Sequence, residues 1–394
     1  MQQFRSGGKA VNVDDVQVID RAALQRLNGK GVYTVCLTRT ACNEYHVTAP
    51  ASRDEHPGAV FERAAEALRD TGAAIVSMDV AGVPFDAGRG EMIRAFGTPS
   101  WPVTWIDRRP FHAGGGLHIW AVSGPVLTPI ENGDVVAAVR FEDLWATYCC
   151  AGGFLPAGIA APPADKTLSV LTAMESTLES ANLEFADVVR TWFYNRDITA
   201  WYREFNRART QFFDSRGVFD RLVPASTGVG AGDIGTAALT GGLLAIRPKN
   251  GFVQISAVDS PLQCPATKYG SAFSRAVEAA FPDHGRLYVS GTASISRDGH
   301  TQHLGDIVAQ VERTIGVVGA LLESRVMSWD DVTSGTAYIK RGEDFAAVAK
   351  CLERAKIDAA PFLMLQADIC RDELLFELEV SAISTRIENN HHSD

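Results

Sequence analysis

The sequence predicts an α+β protein in which mixed sheets are each backed by helices, and three observations carry that prediction. First, two segments repeat at a constant offset of 144: Leu178-Glu179-Ser180, then Leu183, Phe185, Asp187 and Val188, answers Leu322-Glu323-Ser324, then Met327, Trp329, Asp331 and Val332. Second, each copy follows an amphipathic helical pattern and leads into a β-rich run, 191–194 in one and 336–340 in the other. Third, 394 residues is the length of about two ordinary domains. Two copies of one α+β unit follow, expected over 15–215 and 234–386, with a linker near 216–233 rich in Gly, Ser and Pro.

Along the chain, β-branched and aromatic residues between Gly or Pro breaks mark strands at 32–38, 117–123, 251–258 and 287–290. Helices are expected at 58–71, where Val60, Ala64, Ala67 and Leu68 share a face, and at 165–180, where Leu168, Leu171, Met174 and Leu178 do. Another is expected at 269–281 on Phe273, Val277 and Ala280. The clearest runs 306–324, where Ile307, Val311, Ile315, Val318 and Leu322 step by four or three and form one apolar stripe. The chain closes on a strand at 374–380, in which Phe376, Leu378 and Val380 share one face and Glu377 and Glu379 the other.

Hydrophobic residues make up 46% and charged residues 21%, a globular profile that excludes disordered and fibrous classes. Lys plus Arg number 37 against 47 Asp plus Glu, a net charge of −10 with no basic block, so neither nucleic acid nor an anionic membrane surface is an expected partner. Seven scattered cysteines without a C-x-x-C pair argue for reduced thiols and against structural zinc. No apolar stretch of signal-peptide length stands in residues 1–14 and no membrane-length apolar run occurs later, so a cytoplasmic location is expected. The polar tail, 387–394, with adjacent His391 and His392, reads as a frayed end.

Gly230-Ala-Gly-Asp-Ile-Gly235 satisfies G-x-G-x-x-G, but Pro224-Ala-Ser-Thr-Gly228 before it reads as a loop, whereas a dinucleotide fingerprint needs a strand before and a helix after. A turn or substrate-shaping loop is expected there. His300-x-x-His303, among Asp298, Gly299 and Gly305, reads as a solvated loop and not as a metal site. Arg190, Tyr194, Tyr202, Arg203, Arg207 and Arg209 concentrate cations with aromatic rings within twenty residues. Guanidinium groups grip carboxylates and aromatic walls hold an unsaturated ring, so the cluster suits a cyclic carboxylate; a surface strand and helix with ordinary salt bridges is the alternative. For Glu377 and Glu379, alternation alone favours a solvated face. Were that face to line a cleft, burial and the neighbouring charge would raise one pKa and leave a neutral acid able to donate a proton.

The run Val289-Ser-Gly-Thr-Ala-Ser-Ile295, with Gly305-Asp306, Gln310-Val-Glu312, Trp329-Asp-Asp-Val332 and Glu377-Leu-Glu379, resembles the RidA/YjgF superfamily. Val189-Arg-Thr-Trp-Phe-Tyr194, Trp201-Tyr202, Phe205-Asn-Arg207, Arg209-Thr210 and Pro224-Ala-Ser-Thr-Gly228 are similar to its chorismatase (FkbO-like) branch, the likeness covering 110–384. This resemblance implies two RidA-like, chorismate-mutase-like domains, no metal and no organic cofactor, and release of the enolpyruvyl side chain of chorismate as pyruvate. Simple RidA imine hydrolases carry a carboxylate-binding Arg upstream of the final Glu; here that stretch is Pro361-Phe-Leu-Met364, a departure from imine hydrolysis.

By its place in the closing strand, Glu377 is implied as the proton donor. Cys370 stands seven residues before it, as in branch members that make 3-hydroxybenzoate, and a thiol packing like a small apolar group would keep that wall of the pocket dry. Charge logic adds Arg190, Arg207, Arg209 and Arg341 for the two carboxylates of chorismate, with Tyr202 and Tyr194 as hydroxyl contacts or ring walls. The expected activity is conversion of chorismate to 3-hydroxybenzoate and pyruvate. Competing outcomes are hydrolysis to a dihydroxycyclohexadiene carboxylate, a RidA-like imine deaminase, and a small-molecule-binding module without turnover. Both a homo-trimer and a monomer are compatible with two fused domains.

Overall fold

The computed structural model describes residues 22–386 apart from 53–54, 107–113, 159 and 233–237. The first segment runs β1 (Ala23–Gly29), β2 (Val32–Thr38), β3 (Asn43–Pro50), α1 (Pro57–Leu68), β4 (Ala74–Ala81), α2 (Phe85–Phe96), β5 (Val103–Ile106) and β6 (Gly116–Ser123). The second repeats that order with β7 (Thr128–Asn132), β8 (Val135–Glu142), β9 (Ala146–Phe154), α3 (Pro163–Ser180), β10 (Val188–Asn195), α4 (Ile198–Ser215), β11 (Ala225–Val229) and β12 (Leu239–Pro248). The third does so again with β13 (Gln254–Val258), β14 (Ala276–Ala280), β15 (Gly285–Ala293), α5 (Ile307–Glu323), β16 (Val332–Ile339), α6 (Phe345–Arg354), β17 (Phe362–Gln366) and β18 (Phe376–Ser384).

Each segment makes one six-stranded mixed sheet of the same order: β1-β2-β3-β6-β4-β5, β7-β8-β9-β12-β10-β11 and β13-β14-β15-β18-β16-β17. The fourth and fifth strands of each pair in parallel and the other pairs run antiparallel. Helices cover one face of a sheet. In the third, α5 starts where the Asp306 carboxylate accepts a hydrogen bond from the Ala309 N–H at 3.0 Å, a cap worth about 1 kcal/mol. It then buries Val311, Val318, Leu321 and Leu322 against Leu287, Val289, Leu378 and Val380. The inner faces of the three sheets meet, and the fifth strand of each segment abuts the third strand of the next: β5 on β9, β11 on β15, β17 on β3. The three seams are thus related by a pseudo-threefold arrangement within one chain.

Charged side chains from all three segments interlock on the inner side. Arg39 donates to Asp143 at 2.6 Å, to Asp283 at 2.8 Å and to Glu44 at 3.3 Å. Arg286 pairs with Glu44 and donates to His284 Nε2 at 2.8 Å, while His284 Nδ1 lies 2.7 Å from Asp283. Because Nε2 accepts, Nδ1 carries the proton and the ring is neutral; burial lowers its pKa to about 4. The two arginines outweigh burial at Glu44 and hold its carboxyl down at about 2.

The α+β class and helix-backed mixed sheets are as expected, and the strands at 32–38 and 117–123 and the helices at 58–71, 165–180 and 306–324 all form. Three differences have physical causes. The helix expected at 269–281 does not form: a 3-10 turn ends at Tyr269 and 276–280 form β14, paired to both β13 and β15. Ala276, Val277 and Ala279 are all buried, so no alternation betrayed the strand. Pro224–Gly228 is not a loop but mostly β11, and Gly230 after it bridges to Asp368, its N–H donating at 2.6 Å. Gly230–Gly232 do not open a helix, and the rest of that glycine motif lies outside the described residues. Finally, the offset of 144 relates α3 to α5 and hence the second segment to the third. The first segment has Leu68-Arg-Asp-Thr-Gly72 in place of the repeated block, so the sequence showed two copies where the structure has three sheets. The expected unit 15–215 takes in the first sheet and most of the second, while β11 and β12 fall in and beyond the expected linker. Residues 1–14 and the tail at 387–394 lie outside the described residues.

Candidate active site

The seam between β11 and β15 opens into a cavity of about 590 Å³. Its floor is set by β18, which lies between β15 and β16 with Glu377 opposite both Ala293 and Tyr338, and Glu379 opposite Thr336. The face carrying both carboxylates turns inward, so they are 5% and 7% exposed and not solvated as alternation alone favoured. The ladder between β15 and β18 slips at Val289–Thr292, and Gly291 in that bulge makes room for the acid. A Cβ on Gly291 would stand 2.0 Å from Glu377 Oε1.

The two carboxylates have opposite surroundings. Glu379 accepts from Arg190 Nη2 at 2.5 Å, from Tyr338 Oη at 2.9 Å and from the Thr227 hydroxyl. Thr227 is fixed in turn by accepting from Arg190 at 2.6 Å and from the Gly291 N–H at 3.0 Å. A guanidinium and two hydroxyls thus converge on one carboxylate. No hydrogen bond or ion pair holds Glu377 among the described residues. Burial first, and the Glu379 charge second, push its pKa up to about 8 against the pull of Arg190 and Arg275. It is a neutral acid at pH 7, facing the cavity.

Helix α4 supplies the opposite wall. Its backbone leaves helical geometry at Trp201, whose indole N–H donates to the Arg196 carbonyl at 2.7 Å. From there the 3.6-residue period turns Phe205, Phe212 and Phe213 into the core of the second segment and Tyr202, Asn206 and Arg209 toward the cavity. Arg209 is 2% exposed, donates to Asn206 Oδ1 at 2.7 Å and Ser226 Oγ at 3.2 Å, and has no hydrogen-bond partner at Nε. Burial without a facing carboxylate lowers its pKa to about 10, so it is a cation in want of an anion. Arg275, 3% exposed, donates through Nε to the Cys264 carbonyl at 3.0 Å and leaves Nη2 unpartnered. Its guanidinium lies over Tyr269 and Phe273. Arg371 leans on Tyr269 and donates to the Gly299 carbonyl at 2.7 Å.

Of the residues singled out from sequence, Glu377, Cys370, Tyr202, Arg203, Arg207 and Arg209 line the cavity, Arg203 and Arg207 being exposed at its mouth. Burial raises the Cys370 thiol to about 12, so it is a neutral wall beside Tyr202. Arg190, Tyr194 and Arg341 do not line it. Arg190 is buried behind the carboxylate pair, because β10 is covered on both faces and its arginine must find a partner inside. Tyr194 faces a separate interior cavity, and Arg341 is exposed at the start of the turn before α6. Arg275 and Arg371 carry no sequence signal of their own: the first lies in the segment whose pattern predicts a helix, the second beside no recognisable pattern. His300 and His303 stand in a turn, with His303 Nδ1 3.0 Å from Ser294 Oγ. Among the described residues no group of three or more His, Cys, Asp or Glu is arranged to hold a metal ion.

A chorismatase from Streptomyces hygroscopicus is 30% identical to this chain over 287 residues, covering 66% of this chain and 77% of that protein. The chain belongs to the chorismatase family. Another relative, a 3-hydroxybenzoate synthase of Streptomyces hygroscopicus, is 30% identical over 261 residues, or 59% of this chain and 72% of that one. A chorismatase crystal structure superposes with a TM-score of 0.60 at 22% identity, over 78% of this chain and 92% of the other, so the chorismatase fold is shared. No family model matches the chain.

Proposed function

We propose that this protein converts chorismate to 3-hydroxybenzoate and pyruvate, with Glu377 as the acid. The observation that carries the reading is the carboxylate pair: one member tied down as an anion, the other neutral and open to a cavity that also holds two buried, under-partnered arginines. Chorismate brings what those groups lack, two carboxylates and an enol ether. Arg209 and Arg275 take the carboxylates, Arg371 and Arg207 attract the dianion toward the mouth, and Tyr202 and Tyr269 wall the ring. Glu377 transfers its proton to the methylene carbon of the enol ether. The resulting oxocarbenium is stabilised by the new Glu377 carboxylate.

Attack on that cation by the neighbouring ring hydroxyl leads to an aromatic hydroxy acid and pyruvate; attack by water leads to the dihydroxy-diene acid. The neutral Cys370 thiol beside Tyr202 favours the dry route. Three sheets in one chain supply all three seams, so a monomer is the working form, and we place it in the cytoplasm on its reduced, scattered cysteines; no helix among the described residues is long and apolar enough to cross a membrane. Incubation with chorismate, a pyruvate assay and chromatography test the reading. One pyruvate and one 3-hydroxybenzoate per chorismate are expected, with Cys370→Ala leaking toward the diol acid. No pyruvate above the spontaneous rate overturns the activity, and the diol acid alone overturns the product.

A further inference from the structure

On the far side of the carboxylate pair from the substrate cavity lies a second acid that the reaction as described does not use. Tyr338 Oη donates to Glu379 at 2.9 Å, and Tyr338 and Tyr194 are hydrogen-bonded to one another. Both tyrosines are buried. Tyr194, Glu379, Arg190 and Asp79 line one interior cavity of about 70 Å³, room enough for water. Asp79 sits on β4 where all three sheets converge, hydrogen-bonded with Thr104, and also borders two further small interior cavities.

We propose that Asp79 is an interior proton store for the Glu377–Glu379 pair, linked to it by Tyr194 and Tyr338. The step rests on the acid role proposed for Glu377. When Glu377 has given its proton to substrate, two bare carboxylates stand side by side in a buried site. The Asp79 O–H then gives its proton, through cavity water, to Tyr194; Tyr194 passes its own hydroxyl proton to Tyr338, and Tyr338 passes its own to Glu379 Oε1. Each tyrosine loses one O–H proton and gains one, so the net result is an Asp79 carboxylate and a neutral Glu379. When the ring gives up a proton on becoming aromatic, Glu377 takes it and the chain runs back.

The groups facing Asp79 fit a neutral resting state. From β3, β6 and β9 come His46, His118 and Cys150; from β10, Arg190 and Tyr194; from β15, Arg286 and Tyr288; from β18, Glu379. Burial lowers His46 and His118 to about 4, so both are uncharged at pH 7, and burial raises Cys150 to about 12. Arg190 is matched by Glu379 and Arg286 by Glu44. Asp79 itself is pushed up by burial, and further by Glu379, to about 7.

Two readouts on the full chain test this, one of them independent of turnover. Infrared titration of the unaltered protein is expected to show two buried protonated carboxyl bands lost between pH 6 and 9, and Asp79→Asn to lose one and move the midpoint of the other downward. Kinetically, Asp79→Asn and Tyr338→Phe should each lower kcat about tenfold with KM within twofold, the double variant should be no worse than either, and the alkaline limb should change from a slope approaching two to a slope of one. A single carboxyl band in the unaltered protein, or additive losses in the double variant, overturns the store. Absence of pyruvate with both bands present fails the chorismatase reading alone.

Discussion

Two of the three pseudo-equivalent seams make an instructive pair. Strand register places Gly116 opposite Ala81 in the first sheet as Glu377 stands opposite Tyr338 in the third. At the seam of β11 and β15, that position carries an acid facing a cavity of about 590 Å³. At the seam of β17 and β3, the same position is a glycine pressed into backbone. A Cβ on Gly116 would stand 2.2 Å from the Ala49 carbonyl oxygen, and one on Gly114, which bridges to Leu365, 2.1 Å from that of Met364. One seam is held apart by side chains from α4 and β15; the other is closed main chain to main chain. The same framework therefore yields an open cavity or a closed structural joint according to what stands at one strand position and how its neighbour packs.

The largest expected effect falls on the open seam. Glu377→Gln should lower kcat by about 10³-fold with KM within twofold in a pyruvate-release assay, since the amide keeps the shape and cannot give a proton. Its stability should change in the opposite sense. The folded acid holds its proton to about pH 8 whereas the unfolded one releases it near 4.5, so its contribution to stability is lost as pH rises between those values. Glu377→Gln should melt higher than the unaltered protein at pH 8 and equally at pH 4.

Gly291→Ala and Gly116→Ala sharpen the contrast. The first pushes a methyl into the acid and should cost about 10²-fold in kcat with little change in melting temperature. The second, at φ 140° and against the Ala49 carbonyl, should lower stability by about 2–3 kcal/mol by denaturant titration and leave the kcat of the folded protein intact. Equal kinetic losses in both would mean that the seams are not functionally distinct. Arg209→Ala should raise KM about ten- to a hundredfold, the value of a charge-assisted contact to a carboxylate. Arg39→Met, which strips a shared cation from Glu44, Asp143 and Asp283, should destabilise by about 3–5 kcal/mol without moving KM.

How much of this the sequence disclosed depends on whether a pattern survives burial on two faces. The alternation around Glu377, the spacing to Cys370 and the aromatic-basic run from Tyr202 to Arg209 are local signals, and the structure brings their residues to one cavity. Arg190 carries the same local signal and stands elsewhere, because β10 is covered on both sides and nothing in a doubly buried strand tells an inward arginine from an outward one. Arg275 was hidden for a related reason: Ala276, Val277 and Ala279 are all buried, so the strand beside it mimics a helix. The first sheet has the topology of the other two without their shared residue block, so residue classes match only between the second and third segments.

Burial first, and the Glu379 carboxylate beside it second, keep Glu377 protonated at neutral pH. The most direct test is the pH dependence of kcat/KM for the unaltered protein and for Glu379→Gln. The unaltered protein should be active at neutral pH and fall off through about pH 8. Removing the neighbouring charge and freeing Arg190 should move that fall at least one unit lower. An alkaline limb at the same pH in both proteins, or activity undiminished to pH 10, would mean that Glu379 does not set the acidity of Glu377.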